Sequence, residues 1–216
     1  MGISREQALE CLKSDDLIGL GMEADAVRRR LHPEGVATYV VESEAEYGPA
    51  LAGAAGTAGW VAAHRAAHGQ GMRTTVRMVF GGDETGAVET LEQRVDLLAA
   101  VRALQEETGG FAAFVPVAAA APNGRQLDSV TAVERLKMLA VARMFLDNIE
   151  NIQADGVASG IDGLKVLQTA LRFGANDVGA ANAGAGRSEE DLRRIIRDAG
   201  LRPAERDAAY RMMMIA

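Results

Sequence analysis

The chain has 216 residues, 48% hydrophobic and 25% charged, the length and composition of one globular domain with a core of its own. A net charge of −7 and a pI near 5.1 argue against nucleic acid as the main partner. The single cysteine, Cys11, excludes an internal disulfide, a zinc knuckle or an iron–sulfur cage built from this chain's own thiols.

Aromatic residues make up only 4% of the chain, so the core must rely on Ala, Val, Leu and Met. The start "MGISREQALECL" has no apolar leader pattern, and no apolar run approaches the length of a membrane span. A cytoplasmic protein without a membrane partner is expected.

Ser4 and Gln7 stand in capping-box spacing ahead of apolar residues at helical intervals, which predicts a first helix over "SREQALECLKS". Ser14-Asp15-Asp16 predicts the cap of a second helix, which runs to Leu31 and is stopped by His32-Pro33. Arg28, Arg29 and Arg30 end that helix, where cations suit its dipole. "VATYVV" reads as a strand. Residues 48–59 are almost all Gly and Ala and predict no element.

From Trp60 strands and helices alternate. "WVAAHRAAHGQG" is helical, "RTTVRMVF" (73–80) a strand, and "GGDETG" a turn. Residues 88–107 put Val88, Leu91, Val95, Leu98, Val101 and Leu104 on one helical face, ended by Thr108-Gly109-Gly110. "FAAFVPV" (111–117) is a strand, and Ser129 to Asn148 a helix. "NIQADGV" (151–157) is a strand, Ser159 caps a helix that Gly174 stops, and "ANDVGA" (175–180) is a short strand. Ser188 caps a last helix that ends at Gly200.

This alternation implies a parallel sheet flanked by helices. A complete eight-unit barrel needs about 250 residues. The expected fold is therefore α/β: a partial (βα) TIM-type barrel of about five parallel strands, with N-terminal helices and a C-terminal helical tail. One domain spans 1–216: N-terminal helices over 1–37, the first strand and Gly/Ala junction over 38–59, βα units over 60–180, and the helical tail over 181–216.

Most of the short motifs carry little chemistry. "HRAAH" puts His64 and His68 on one helix face, but Arg65 replaces the glutamate a hydrolytic zinc site needs and no third ligand is nearby, so no metal is expected. "GLGMEA" (19–24) lies inside a helix with no strand before it, where a dinucleotide loop cannot form. "GGDETG" follows a strand C-terminus, the functional edge of a barrel, and offers Glu84 as an acceptor. "FGAND" sets Asn176 and Asp177 at a strand start.

In ordered blocks the chain resembles dehypoxanthine futalosine cyclase, and more loosely aminodeoxyfutalosine synthase and FO synthase. "ALECLKSDDLIGLGMEADAVRRRLHPEGVATYVV" is similar to the family's N-terminal segment. "HRAAHGQGMRTTVRMVFGGDET", "LQEETGGFAAFVPV", "LAVARMFLDNIENIQADGV" and "LRFGANDVG" resemble its C-terminal half in order, and "EEDLRRIIRDAGLRPAERDAAYR" its tail. The resemblance implies a radical S-adenosylmethionine ancestry in menaquinone biosynthesis by the futalosine route. Such enzymes hold a four-iron four-sulfur cluster on a CxxxCxxC loop, and the cluster binds S-adenosylmethionine.

After "TYVV", where that loop would stand, this chain has its Gly/Ala tract and no cysteine. Gly82 replaces the His of the family's FGHxET turn, while Glu84 and Thr85 keep its end; Asp155-Gly156 replaces Ser-Trp. Without thiolates the cluster has no ligands here, so no cofactor is expected from this chain. Two readings stand. One is a non-catalytic binding or scaffold protein that takes a nucleoside-like molecule. The other is a pathway enzyme that works with a partner supplying the cluster, or by cluster-free chemistry. The candidate ligand residues are Glu84, kept from the family turn, and Arg77, Gln153, Asn176 and Asp177 at strand ends. Open sheet edges invite pairing, so a homodimer or a heteromer with an intact pathway enzyme is expected.

Overall fold

The computed structural model of the chain describes residues 2–41, 51–52, 56–82, 88–119, 130–154, 163–181 and 187–215. Two helices come first, α1 (Arg5–Lys13) and α2 (Leu17–Leu31), followed by the strand β1 (Val36–Val40). The alternating part is β2 (Leu51–Ala52), α3 (Thr57–Gly69), β3 (Thr74–Phe80), α4 (Leu91–Thr108), β4 (Phe111–Ala118), α5 (Ala132–Phe145), β5 (Asn151–Ile152), α6 (Gly163–Ala170) and β6 (Asp177–Ala180). The chain closes with α7 (Glu189–Asp198), β7 (Arg202–Arg206) and β8 (Met212–Ile215).

Local signals set the helix ends. Ser4 with Gln7, Thr90 with Gln93, and Ser188 with Asp191 each form a reciprocal capping box that satisfies two otherwise orphaned amides. The Asp16 carboxylate accepts from the Gly19 amide at 2.8 Å and starts α2. Gly109, left-handed at φ 62°, closes α4. Two helix starts differ from the periodicity: α4 begins at Leu91 and α5 at Ala132, because Thr90 and Thr131 are the residues that cap. The expected cap at Ser159 lies outside the described residues.

The strands pair as β2-β3-β4-β5 and β6-β1-β7-β8, parallel throughout except β8, which runs antiparallel to β7. Gln153 bridges Asp177, the Ala154 amide donates to Asp177 O at 2.9 Å, and the Asn176 amide donates to Ile152 O at 3.1 Å. These contacts splice the two sheets into one curved array. Among the described residues no pairing joins β2 to β8, and seven strands run parallel where about five were expected. Two expectations need correction. The tail is not wholly helical: Arg202–Arg206 adds in parallel to β1, and "MMMI" folds back on it as β8. The Gly/Ala tract also contributes a strand, β2, paired with Met78 and Val79 of β3.

The two faces of the array differ. Val76, Met78, Phe80, Phe114, Ile152, Val178, Ala37 and Tyr39 belong to the core packed under the helices, with Leu98, Leu139, Leu167 and Ile196. Side chains alternate along a strand. The opposite face therefore carries Arg77, Val115, Gln153, Asp177, Thr38 and Ala204. The register sets Arg77 beside Val115, Gln153 beside Asp177, and Thr38 between Asp177 and Ala204. Among the described residues no helix is long and apolar enough to cross a membrane.

The two histidines of "HRAAH" serve packing. Trp60 stacks on Phe111 at 5.7 Å, and the His64 and His68 rings both lie edge-on to Phe111. His64 Nδ1 lies 2.8 Å from Thr74 Oγ1, and His68 spans Thr74 and Thr108 at 2.9 and 2.7 Å. Burial pushes the His68 pKa below its ordinary value. Its unfolded form therefore binds a proton first as pH falls, so its contribution to stability is full above about 6.5 and declines below it. Denaturant unfolding at pH 7.5 and pH 5 tests this: His68→Gln is expected to lose less stability over that interval than the unmodified chain.

Candidate functional site

The polar face of the array is organised around one carboxylate. Asp177 starts β6 and is fully buried. A buried charge needs a partner, and Arg206 at the end of β7 supplies it. The Arg206 guanidinium donates from Nε to Asp177 Oδ2 and from one terminal nitrogen to Oδ1 at 3.0 Å. The remaining acceptor positions of Asp177 take the Gly179 amide at 2.8 Å and the Thr38 hydroxyl at 2.5 Å. The same guanidinium nitrogen reaches Gln153 Oε1 at 3.0 Å, so β5, β6, β1 and β7 meet in one network.

Tyr210 covers this network. Its ring lies over the Arg206 guanidinium at 3.9 Å, and its hydroxyl donates to Gln153 Oε1. Tyr210 has φ 61°, the left-handed region that a residue with a side chain seldom adopts, at a cost of about 1–3 kcal/mol. Asp207 holds the turn that imposes it: its carboxylate accepts from the Ala209 and Arg211 amides, both at 2.9 Å, and from Arg211 Nε at 2.7 Å. The Arg211 amide above all, with the Arg211 side chain, keeps the Asp207 carboxyl below the usual carboxylate range. The β7–β8 turn thus folds over Gln153 at the end of β5 and the Asp177–Arg206 pair at the start of β6.

The five candidate residues fall into three places. Gln153 and Asp177 lie in this network, and Arg77, half-buried on β3, shares their face of the array. Asn176 belongs to a separate cluster. Its Oδ1 accepts from Arg143 of α5 at 2.7 Å and from the Ile152 amide at 2.8 Å, and its Nδ2 donates to Asn151 at 2.9 Å. Glu84 lies outside the described residues.

Sequence reasoning missed Arg206, Tyr210 and Thr38. Arg206 and Tyr210 sit in "RPAERDAAY", where the tail was expected to be helical, so nothing placed them beside Asp177. Glu89 was also missed. It accepts from the Gly81 amide at 2.8 and 3.0 Å and the Gly82 amide at 3.2 Å, and pairs with Arg94 at 2.7 Å. A glutamate from the α4 entry thereby occupies the two amides that follow β3, both at positive φ.

The residues present do not fit an iron–sulfur cluster. Cys11 sits on α1, packed against the core, far in sequence from the strand ends; burial first, then Glu23 and Glu10, push its thiol pKa up, away from a ligating thiolate. Among the described residues no group of three His, Cys, Asp or Glu is placed to hold a metal ion.

Residues 108–216, from the end of α4 through β8, match the family described as "CofH/MqnC C-terminal region". That stretch contains Gln153, Asp177, Arg206 and Tyr210. Aminodeoxyfutalosine synthase of Thermus thermophilus is 36% identical over 176 residues, covering 73% of this chain and 45% of that protein. The 5-amino-6-(D-ribitylamino)uracil--L-tyrosine 4-hydroxyphenyl transferase of Methanothermobacter thermautotrophicus is 36% identical over 174 residues, 72% of this chain and 45% of that one. Cyclic dehypoxanthine futalosine synthase of Streptomyces coelicolor is 34% identical over 168 residues, 72% and 40% respectively. The chain spans less than half the length of these relatives. With one half of its residues, 108–216, matched as a unit, the chain belongs to the CofH/MqnC family.

Proposed function

We propose that this chain is a cluster-less member of the radical S-adenosylmethionine lineage of the futalosine route to menaquinone. It acts as a binding or scaffold protein and performs no radical chemistry by itself. The observation that carries the reading is the donor set: one cysteine, half-buried on α1, in a family whose chemistry needs three thiolates on a loop. The binding part of the reading is supported by half-buried Arg77, which shares one face of the sheet with Gln153 and Asp177, the pair that Arg206 joins and Tyr210 covers.

The ligand class follows from chemistry. The names of the relatives contain futalosine or (D-ribitylamino)uracil, molecules with a polar heterocycle and hydroxyl groups. A guanidinium and a carboxamide on one face of a sheet suit the hydroxyls, carboxylate or ring edge of such a molecule. Glu84 completes the proposed ligand set as an acceptor.

A thermal-shift series with S-adenosylmethionine and futalosine derivatives tests the proposal. A ligand at 100 times its Kd stabilises the folded chain by about 2.7 kcal/mol. A futalosine derivative is expected to raise the midpoint, and Arg77→Ala to diminish the rise. No shift from any nucleoside-like compound overturns the ligand assignment.

A further inference from the structure

The outer face of α2 is unexplained by the strand-end site. Leu20, Gly21 and Ala24 turn α2 towards the protein interior, where it packs on α5. The other side leaves Ile18 77% and Met22 70% exposed, the two most exposed large apolar side chains among the described residues. They line a groove of about 700 Å³ with Gly21, Asp25, Arg29 and Phe173. Gly21 lets the Phe173 ring come close, since a Cβ at that position would lie 3.0 Å from it. Scattered exposed apolar residues are ordinary, but a stripe with a groove marks an interface.

The stripe has a symmetry that selects its partner. Asp15, Ile18, Met22, Ala26 and Arg29 are all exposed, at offsets that read the same in both directions from Met22. Asp15 stands at one end with a wholly exposed carboxylate, 4.0 Å from Lys137; Arg29 stands at the other, two-thirds exposed and bonded to Asp25 at 2.6 Å. A two-fold axis through Met22 lays the stripe on its own antiparallel copy. Met22 then meets Met22, Ile18 meets Ala26 twice, and each Asp15 meets an Arg29. Ile18 and Ala26 fall about 6 Å either side of the axis, at 1.5 Å rise per residue, with Arg29 beyond Ala26 and Asp15, two residues before the helix, beyond Ile18. A closed two-fold contact requires such self-complementarity.

We propose that α2 is the homodimer interface of this protein, paired antiparallel with α2 of a second copy about an axis at Met22. The contact is isologous, apolar at its centre and charge-matched at both ends. It is independent of the ligand assignment at the strand ends. It also differs from pairing through the sheet edge β8, where Met212 and Met213 are exposed.

Sedimentation equilibrium from about 1 to 100 µM decides it, a range that brackets the micromolar affinity of a modest interface. The expected mass approaches twice 22.8 kDa at the upper end. Met22→Glu, checked as folded by circular dichroism, is expected to weaken dimerisation at least about 100-fold, as loss of a central contact does. Asp15→Lys is expected to weaken it about tenfold, an end contact. Met213→Glu is expected to leave the dimer intact. Under mild oxidation, Cys11→Ser/Met22→Cys is expected to form a disulfide-linked dimer, because residue 22 faces its own copy. A 22.8 kDa species at every concentration overturns the proposal. So does a dimer that survives Met22→Glu, dissolves on Met213→Glu, or gives no cross-link through position 22.

Discussion

Arg206→Met is expected to lower the folding free energy by about 3–5 kcal/mol, the cost of removing one partner from a buried ion pair. Asp177 has no exposed surface, and the guanidinium supplies two of the four hydrogen bonds that its carboxylate accepts among the described residues. The Thr38 hydroxyl and the Gly179 amide remain, which is too little for a desolvated carboxylate. The loss spreads: Tyr210 no longer covers a cation, and Gln153 Oε1 loses the Arg206 donor.

Urea unfolding measures the effect as a fall in midpoint with unchanged slope. The double variant Asp177→Asn/Arg206→Met is expected to recover a large part of the loss, because it removes both charges. A single-variant loss below about 1 kcal/mol, the range of a solvated surface pair, would contradict the burial of this pair.

Gly174→Ala is expected to cost about 2–4 kcal/mol, combining backbone strain with overpacking. Gly174 has φ 95°, where a Cβ is disfavoured whatever the space. A Cβ there would also lie 2.7 Å from the Cβ and Cγ of Arg143 and 3.2 Å from Ala24 Cβ. Arg143 has no room to yield. It is fully buried, and its Nε donates to Gly174 O at 2.7 Å. Its terminal nitrogens donate to the carbonyls of Ile149 and Glu150 and to Asn176 Oδ1. Burial, and then Arg28, push its pKa down to about 9, so it stays charged at neutral pH and depends on these acceptors. The same unfolding measurement reads the result; a loss under about 0.5 kcal/mol, as at a permissive surface site, would contradict the close approach.

The pair and the glycine show what was legible in the sequence. Helix starts were readable because a cap acts within one turn: Ser4, Asp16 and Ser188 do what their spacing implies. Gly174 was readable as a stop for the same reason. Asp177 and Gln153 were readable as strand-end polar residues, but their partner was not. Arg206 lies 29 residues from Asp177 in the chain, and only the addition of β7 to β1 brings them together. "RPAERDAAYRMMMI" carries no strong alternation, so its strand character comes from the edge it pairs with. β2 was hidden for a similar reason: Leu51 and Ala52 have little strand preference and owe their state to Met78 and Val79. Asn176 was readable as a polar residue at a strand start, but its bonds to Arg143, Asn151 and Ile152, which tie β6 to α5 and β5, were not.

Anaerobic reconstitution of the purified chain with iron and sulfide tests most directly whether this CofH/MqnC family member has lost the cluster chemistry of its lineage. The expected result is iron well below one atom per chain after desalting, no brown absorbance, and no 5′-deoxyadenosine from S-adenosylmethionine and a strong reductant. A chain that retains about four iron atoms with thiolate-to-iron absorbance, lost on Cys11→Ala, would contradict it.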